Sequence, residues 1–116
     1  MAAQQPQGTD LAPVPAVDVF ETDDQVTVLV DLPGCEEDDI RIRAENDQLT
    51  FLAERRHDVP ADAAARQRER PTSFQRTVPI PTEADVEGAD AEYDAGVCTV
   101  QFPKSARQRQ REIGFQ

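Results

Sequence analysis

Alternation of apolar and polar residues, in runs of six to eight, is the feature that most constrains what this chain can fold into. In Gln25–Leu32 every even-numbered residue is apolar, and the same period recurs in Asp39–Glu45, Gln48–Glu54, Phe74–Ile80 and Val97–Phe102. A period of two places alternate side chains on opposite faces of a strand, whereas a helix needs a period near 3.6. The pattern predicts a chain built from β-strands.

Turn residues separate these runs: Pro33-Gly34, Asn46-Asp47 and Ala95-Gly96. Short strands joined by such turns, without a long helical segment between them, favour an all-β fold, an antiparallel β-sandwich. A length of 116 residues allows one domain.

The segment Asp58–Arg70 does not fit the alternation. Pro60 stands where a first helical turn accepts proline, and Ala63–Ala65 are strong helix formers. A short helix, a strand and a mobile loop all remain open for this segment.

Arg76 is the one charged residue on the apolar side of its run, where it shares the parity of Phe74, Val78 and Ile80. One interpretation is an edge residue whose methylenes pack while its head reaches solvent. The other is a charge at a subunit interface, paired in bidentate geometry with a carboxylate. The pattern favours neither.

Charge limits the classes of partner. The 23 acidic residues exceed the 12 basic residues, for a net charge of −11, which disfavours nucleic acid and anionic membrane surfaces as partners. A single Lys beside so many carboxylates is typical of proteins adapted to molar salt, such as those of a halophilic archaeon, but a GC-rich genome would also favour Arg over Lys. No apolar run approaches a membrane span, so we expect a cytoplasmic protein.

Residues that could carry chemistry are scarce. Cys35 and Cys98 are expected to be small buried hydrophobic residues, and with His57 they are too few for a zinc site. The acidic stretch Cys35–Asp39 is interpreted as a solvated turn rather than a cation site. A nucleophile with a base and a glycine-rich phosphate loop are both missing from the sequence. We therefore expect no enzyme activity, no cofactor and no metal.

The two ends of the chain differ in composition from the middle. Residues 1–13 lack periodicity and are expected to form a short disordered arm ahead of a domain at 14–103. The extension 104–116 carries four positive charges in Lys104–Arg111, followed by the apolar Ile113 and Phe115. Such a segment suits docking on a strand edge of a neighbouring chain, although the two residues could also form a last strand of their own domain.

Several of these segments match motifs of one family. Val30–Gly34 reads V-D-L-P-G ahead of an acidic stretch, and Ala91–Lys104 follows the pattern A-x-y-x-n-G-V-L-x-v-x-x-P-K. Pro15–Glu21 is similar to that family's first strand, and Glu69-Arg70 with Phe74-Gln75-Arg76 is similar to its dimer segment. Over nearly its whole length the chain resembles the small heat shock proteins, the Hsp20/α-crystallin family.

The resemblance implies an immunoglobulin-like α-crystallin sandwich that acts as an ATP-independent holdase, a chaperone binding exposed hydrophobic segments of unfolding proteins. It also implies a homodimer, extending to larger oligomers, in which a strand within Arg66–Arg70 of the long loop is exchanged onto the partner. Glu69, Arg70 and Arg76 are then the candidate residues of the dimer interface.

The resemblance further implies that Ile113 and Phe115 form a C-terminal docking motif. This motif binds a groove between two strands of a neighbour, and the groove also receives client segments. The strands that form it carry the candidate groove residues Ile40, Ile42, Ala91 and Tyr93.

The chain departs from the family pattern at several positions. Cys35, Ala95, Cys98 and Phe115 replace the usual Val, Asn, Leu and Ile or Val, and Pro71 interrupts the dimer segment. The N-terminal arm is short for a family that captures clients with its arms. An alternative is therefore a dedicated co-chaperone or gas-vesicle-type accessory protein on the same fold, which binds one specific partner.

Overall fold

A computed structural model describes residues 14–56, 59–105 and 115. Within these residues the chain forms seven strands and two short 3-10 helices, Glu37–Asp39 and Val86–Gly88. The strands are β1 (Val17–Glu21), β2 (Gln25–Asp31), β3 (Ile40–Glu45), β4 (Gln48–Glu54), β5 (Ser73–Pro79), β6 (Asp90–Asp94) and β7 (Val97–Pro103). No helix in the described part of the chain is long and apolar enough to cross a membrane.

The strands form two antiparallel sheets that pack face to face. One sheet has the order β1-β2-β7-β6 and the other has the order β3-β4-β5. The chain changes sheets after β2, through the first 3-10 helix, and again after β5, through the second. The predicted all-β antiparallel sandwich is confirmed.

Two hairpins fix the register of the sheets with two-residue turns. Asn46 and Asp47 have φ values of 54° and 63°, and Ala95 and Gly96 have 52° and 81°. Positive φ at both central residues is the geometry that matches the twist of the flanking strands. Ala95 adopts it at a cost of about 1 kcal/mol, because its Cβ crowds the following carbonyl. The predicted turns therefore lie where the sequence placed them.

The core consists of the apolar residues that face inward from both sheets. The alternation of Gln25–Asp31 buries Val26, Val28 and Val30 completely. The other buried residues are Leu32, Cys35, Leu49, Phe51, Ala53, Phe74, Val78, Ile80, Cys98, Val100 and Phe102. The expectation that both cysteines are buried hydrophobic residues is confirmed, since Cys35 is 7% exposed and Cys98 is 2% exposed, and both are free thiols.

The helix considered for Asp58–Arg70 is wrong for the residues that the structure describes. Residues 59–70 contain neither helix nor strand, and their regular feature is one turn in which the amide of Ala63 donates to the carbonyl of Pro60 at 3.0 Å. Every residue from 59 to 72 is exposed. A helix this short needs an apolar face packed against the core, and none is buried here. His57 and Asp58 lie outside the described residues.

Arg76 makes a contact that neither sequence interpretation anticipated. It lies half-buried on the core-facing side of β5, and its Nη1 donates to the carbonyl oxygen of Pro15 at 2.7 Å. The acceptor is thus a main-chain carbonyl of the same chain rather than solvent or a carboxylate. Pro15 is fully buried, so this bond satisfies a carbonyl that water cannot reach.

The division of the chain into arm, domain and extension stays a prediction. The described sandwich runs from Val17 to Pro103, in keeping with a domain at 14–103. Residues 1–13 lie outside the described residues, as do 106–114 and 116 of the extension.

Candidate functional site

The candidate site is a groove between the two sheets, where β3 lies opposite β6. Its volume is about 290 Å³. The four residues that the sequence placed there line it together: Ile40 and Ile42 from β3, and Ala91 and Tyr93 from β6. Glu37, Asp38, Glu92 and Cys98 complete the lining.

The groove is open because both of its walls are edge strands. β3 and β6 each end a sheet, so each has a row of main-chain N–H and C=O groups that no described strand pairs with. Such edges can accept an extended segment as an added strand, and apolar pockets between them then select its side chains. Ile42 belongs to the inward-facing side of β3 but is still 36% exposed, since nothing in the described chain covers this end.

Hydrogen bonds of Tyr93 fix the wall formed by β6. The Tyr93 hydroxyl donates to the carbonyl of Leu32 at 2.6 Å and accepts from the amide of Cys35 at 3.2 Å. Leu32 is fully buried, so its carbonyl has a partner that water could not replace. The tyrosine thereby ties β6 to the segment that follows β2 and keeps its ring beside the groove.

Electrostatically the groove has an apolar floor and an acidic mouth. Burial raises the pKa of the Cys98 thiol at the floor, and the charge of Glu37 raises it further. Burial also raises the pKa of Tyr93, against the amide hydrogen bond from Cys35, which lowers it. Of the residues that line the groove, none is cationic. An apolar segment, with or without basic residues, is the ligand that this arrangement accommodates.

Comparison with known proteins identifies the family. The sequence profile described as "Hsp20/alpha crystallin family" matches residues 18–116, which is most of the chain. The chain belongs to this family. The small heat shock protein resemblance seen in the motifs is therefore confirmed, and the origin in a halophilic archaeon stays a prediction.

Two curated members of the family illustrate the similarity. Heat shock protein 16 of Schizosaccharomyces pombe is 34% identical over 94 residues, which cover 78% of this chain and 66% of that protein. The 18 kDa heat shock protein of Streptomyces albus G is 35% identical over 102 residues, which cover 84% of this chain and 69% of that protein. The chain thus spans about two thirds of the length of these relatives.

Solved structures agree with the fold of this family. Heat shock protein 16.0 from Schizosaccharomyces pombe superposes with a TM-score of 0.68 at 31% identity, covering 88% of this chain and 97% of that one. A small heat-shock protein from Xylella fastidiosa, described as having a distinct high order structure, gives 0.69 at 30% identity and covers 89% and 96%.

The residues predicted for the dimer interface, and the described residue of the docking motif, do not line the groove. Glu69 and Arg70 are exposed in the loop that precedes β5, where Glu69 accepts a hydrogen bond from the Gln67 side chain. Arg76 binds Pro15 at the opposite end of the sandwich. Phe115 is fully exposed, and Ile113 lies outside the described residues. The dimer interface and the docking motif therefore stay predictions.

Arg55 is a residue that sequence reasoning missed. It is buried, its Nη2 donates to the carbonyl of Pro71, and its guanidinium carbon lies 5.7 Å from the centre of the Phe74 ring. A Cβ added to Gly34 would approach the Arg55 side chain to 2.7 Å, so this glycine makes room for the arginine. Arg55 directly follows β4 at the parity of the buried Phe51 and Ala53, and this parity was the available signal.

The described residues contain no cluster of His, Cys, Asp and Glu that could hold a metal ion. A larger depression of about 450 Å³ lies on the outer side of β4 and β5, between charges of both signs such as Asp38, Arg41 and Glu54. It lacks the facing strand edges of the β3/β6 groove, which remains the better candidate for binding another chain.

Proposed function

We propose that this chain is an ATP-independent holdase that binds exposed hydrophobic segments of unfolding proteins in the β3/β6 groove. The observation that carries the proposal is the juxtaposition of two unpaired strand edges with the apolar side chains of Ile40, Ile42, Ala91 and Tyr93. Burying one client side chain such as Ile or Phe contributes about 1.5–3 kcal/mol. That range suits weak binding of many clients, and it involves no nucleotide.

The chain assembles with copies of itself in this proposal. The exposed loop supplies residues 66–70, with Glu69 and Arg70, as a strand added to β1 of the partner, and Arg76 lies near that end of the sandwich. β1 ends its sheet and carries the exposed carboxylates of Asp18 and Glu21, which complement the arginines of the loop. The tail residues Ile113 and Phe115 dock in the β3/β6 groove of a neighbour.

The acidic surface keeps complexes with clients soluble, and we infer that it is adapted to high ionic strength. Ion pairs join Arg56 to Asp39 at 2.9 Å and Lys104 to Glu21 at 2.7 Å. With a net charge of −11, repulsion between the remaining carboxylates is screened best in molar salt, where the Debye length is about 3 Å. The free thiols of Cys35 and Cys98 fit a reducing compartment such as the cytoplasm.

The test is light scattering from a heat-labile enzyme in molar KCl, without ATP, in the presence of the purified protein. We expect near-stoichiometric amounts to suppress aggregation, Ile42→Ser to lose most of this protection, and Val86→Ser to keep it. Val86 is the matched control because it is an exposed apolar residue, 49% accessible, that does not line the groove.

Two results would contradict the proposal. Equal protection by the Ile42→Ser and Val86→Ser variants would place client binding outside the groove. Failure of the folded protein to protect several unrelated enzymes would favour the dedicated accessory role, and saturable one-to-one binding to a single partner would then be the measurement to make.

A further inference from the structure

The mouth of the β3/β6 groove carries three exposed carboxylates. Glu37 and Asp38 lie in the 3-10 helix ahead of β3, and Glu92 lies on β6 at the parity opposite to Ala91 and Tyr93, so Glu92 borders the groove from the rim of that wall rather than from its floor. The field of Glu37 reaches into the groove, since its charge adds to the effect of burial in raising the pKa of the Cys98 thiol. Arg41 and Arg43 have the corresponding outward parity on β3, but neither lines the groove.

An uncharged segment that covered these carboxylates would remove them from water without replacing their solvation. A segment that brings cations to the same places avoids that cost. The acidic mouth therefore discriminates among apolar segments by the charge of the residues that flank them.

The C-terminal sequence of this chain has the matching pattern. An extended segment places alternate side chains on one side, and in residues 107–115 the odd-numbered positions are Arg107, Arg109, Arg111, Ile113 and Phe115. The even-numbered positions are Gln108, Gln110, Glu112 and Gly114. Docked as a strand, the segment presents its cations and both apolar side chains to the groove, while its one carboxylate faces away.

We propose that the carboxylates of Glu37, Asp38 and Glu92 select the arginine-bearing C-terminal segment of a second copy of this chain, so that ionic strength sets the strength of assembly. The inference rests on the proposed docking of Ile113 and Phe115 in this groove and adds the source of its specificity. At high salt apolar contacts hold the C-terminal segment in the groove, and the three carboxylates strengthen its binding as the salt concentration falls.

Chain geometry favours a second copy over the chain's own tail. β7 runs from Val97 to Pro103, and the chain continues to Ser105, whose amide donates to the carbonyl of Glu83. The chain's own tail would have to reverse there and return about 17–23 Å to the level of Val100 and Cys98, which pair with the groove residues Ala91 and Tyr93. The eight residues from Ser105 to Ile113 span about 26–29 Å at full extension, and the same length must also include the reversal and the passage across β6 to the groove.

The first experiment measures the mass of the full chain by sedimentation between about 0.1 M and about 1 M KCl, where the Debye length falls from about 10 Å to about 3 Å. We expect the dissociation constant of assembly to rise on the order of tenfold over this range. The variant Glu37→Gln/Asp38→Asn/Glu92→Gln should lose this salt dependence. The control Asp23→Asn/Asp31→Asn/Glu87→Gln, which removes three exposed carboxylates away from the groove, should keep it. Circular dichroism at each salt concentration verifies that every variant is folded.

The second experiment reverses the charges and mixes the variants. One variant carries Glu37→Lys/Asp38→Lys/Glu92→Lys, and the other carries Arg107→Glu/Arg109→Glu/Arg111→Glu. In about 0.1 M KCl, where the Debye length is about 10 Å, each variant alone opposes like charges and should sediment as smaller species. Mixing the two should restore the larger mass, because each groove then meets a tail of opposite charge from the other variant.

The outcomes separate this inference from the proposed function. If Ile113→Ser/Phe115→Ser does not reduce the mass, the groove is not the docking site and both are wrong. If that variant dissociates while the groove-neutralised variant keeps the parent's salt dependence, docking stands and the electrostatic inference is overturned. A mixture of charge-reversed variants that stays small also overturns it.

Discussion

At one end of the sandwich β3 faces β6 across an open groove, whereas at the other end the side chain of Arg76 spans from one sheet to the segment that leads into the other. There Arg76 on β5 reaches the carbonyl of Pro15, ahead of β1, at 2.7 Å. At the open end the corresponding inward residues are the two isoleucines of β3 and the short Ala91 of β6. Tyr93, the largest residue of that wall, directs its hydroxyl to Leu32 and Cys35 rather than across the gap.

The difference shows that one fold can leave the gap between one pair of edge strands open and bridge the other gap with a side chain; we call these the open end and the sealed end. Strand order alone makes all four outer strands edges. An arginine long enough to satisfy a buried carbonyl bridges one gap, and small or inward-directed side chains leave the other unbridged. At the sealed end Val19 pairs with the buried Val28 and so has the inward parity of β1, yet it is still 40% exposed, whereas Phe20 has the outward parity and is 59% exposed.

The largest expected effect on stability comes from removing the hydrogen bonds that fix β6 at the open end. Tyr93→Phe removes the hydroxyl that serves the buried Leu32 carbonyl and the Cys35 amide. Leaving these groups without partners should lower the free energy of unfolding by about 2–4 kcal/mol, measured by urea denaturation in molar KCl. The control Thr77→Val removes a hydroxyl from the exposed pair with Thr50, whose oxygens are 2.9 Å apart, and should cost below about 1 kcal/mol. Equal losses in the two variants would show that Tyr93 does not fix β6.

Opening the sealed end should have the next largest effect. Arg76→Met keeps the methylenes but leaves the buried Pro15 carbonyl without its donor, so the free energy of unfolding should fall by about 1–3 kcal/mol. The control Arg43→Met removes an exposed arginine from β3 and should change it by less than about 0.5 kcal/mol. If Arg76→Met changes only the mass in solution, the arginine acts between subunits rather than within the chain.

How much could be predicted from the sequence also differs between the two ends of the sandwich. For the open end, the family resemblance gave the two groove-forming strands and the candidates Ile40, Ile42, Ala91 and Tyr93 on them, but not which of the four face the groove. Alternation put Ile40 and Ile42 on one face of β3, and the motif Ala91–Lys104 contains the other two. Two of the acidic residues at the mouth of the groove, Glu37 and Asp38, come from the 3-10 helix before β3. The approach of this helix to β6 depends on the packing of the two sheets, so the local sequence pattern does not predict it.

The sealed end and the Arg55 contacts could not be predicted in the same way. Parity put Arg76 on the inward side, but its acceptor is a carbonyl 61 residues away in sequence. Arg55 likewise reaches the carbonyl of Pro71, across the long loop. Main-chain acceptors carry no sequence signature, so a buried arginine can be placed from its parity while its partner cannot.

A pH titration separates the open end from the sealed end, since Cys98 and Tyr93, two of the groups with raised pKa values, line the groove. Burial raises the pKa of the Cys35 and Cys98 thiols, and of Tyr93, above their ordinary values, so the folded state holds their protons more tightly than the unfolded chain. This stabilisation is complete below the unfolded-state pKa and is lost as pH rises through the folded-state values. The free energy of unfolding should therefore fall at alkaline pH. In the variant Cys35→Ala/Cys98→Val the free energy of unfolding should fall less over the part of this pH range in which the thiols of the unfolded chain ionise. An unchanged pH profile would contradict the burial of the thiols.

The smallest effect on stability, and the sharpest test of the comparison, comes from placing the same side chain at both ends. Ala91→Phe fills the groove from β6, whereas Ala16→Phe adds the same volume beside Pro15, at the sealed end. Both alanines are exposed, so each substitution should change the free energy of unfolding by no more than about 0.5 kcal/mol. Only Ala91→Phe should reduce the mass in solution and the protection of a heat-labile enzyme, because it occupies the space that a docked segment needs.

Both the mass in solution and the protection of the enzyme must be measured, since assembly and client binding use the same groove in this proposal. An Ala91→Phe variant that keeps its mass and its protection would show that neither the tail nor the client uses the open end. If Ala16→Phe reduced the mass and the protection as much as Ala91→Phe, the two ends would differ in structure but not in their role in binding. Loss of protection with unchanged mass would separate the two ligands: clients would enter between β3 and β6, and subunits would assemble through β1 and the loop at 59–72.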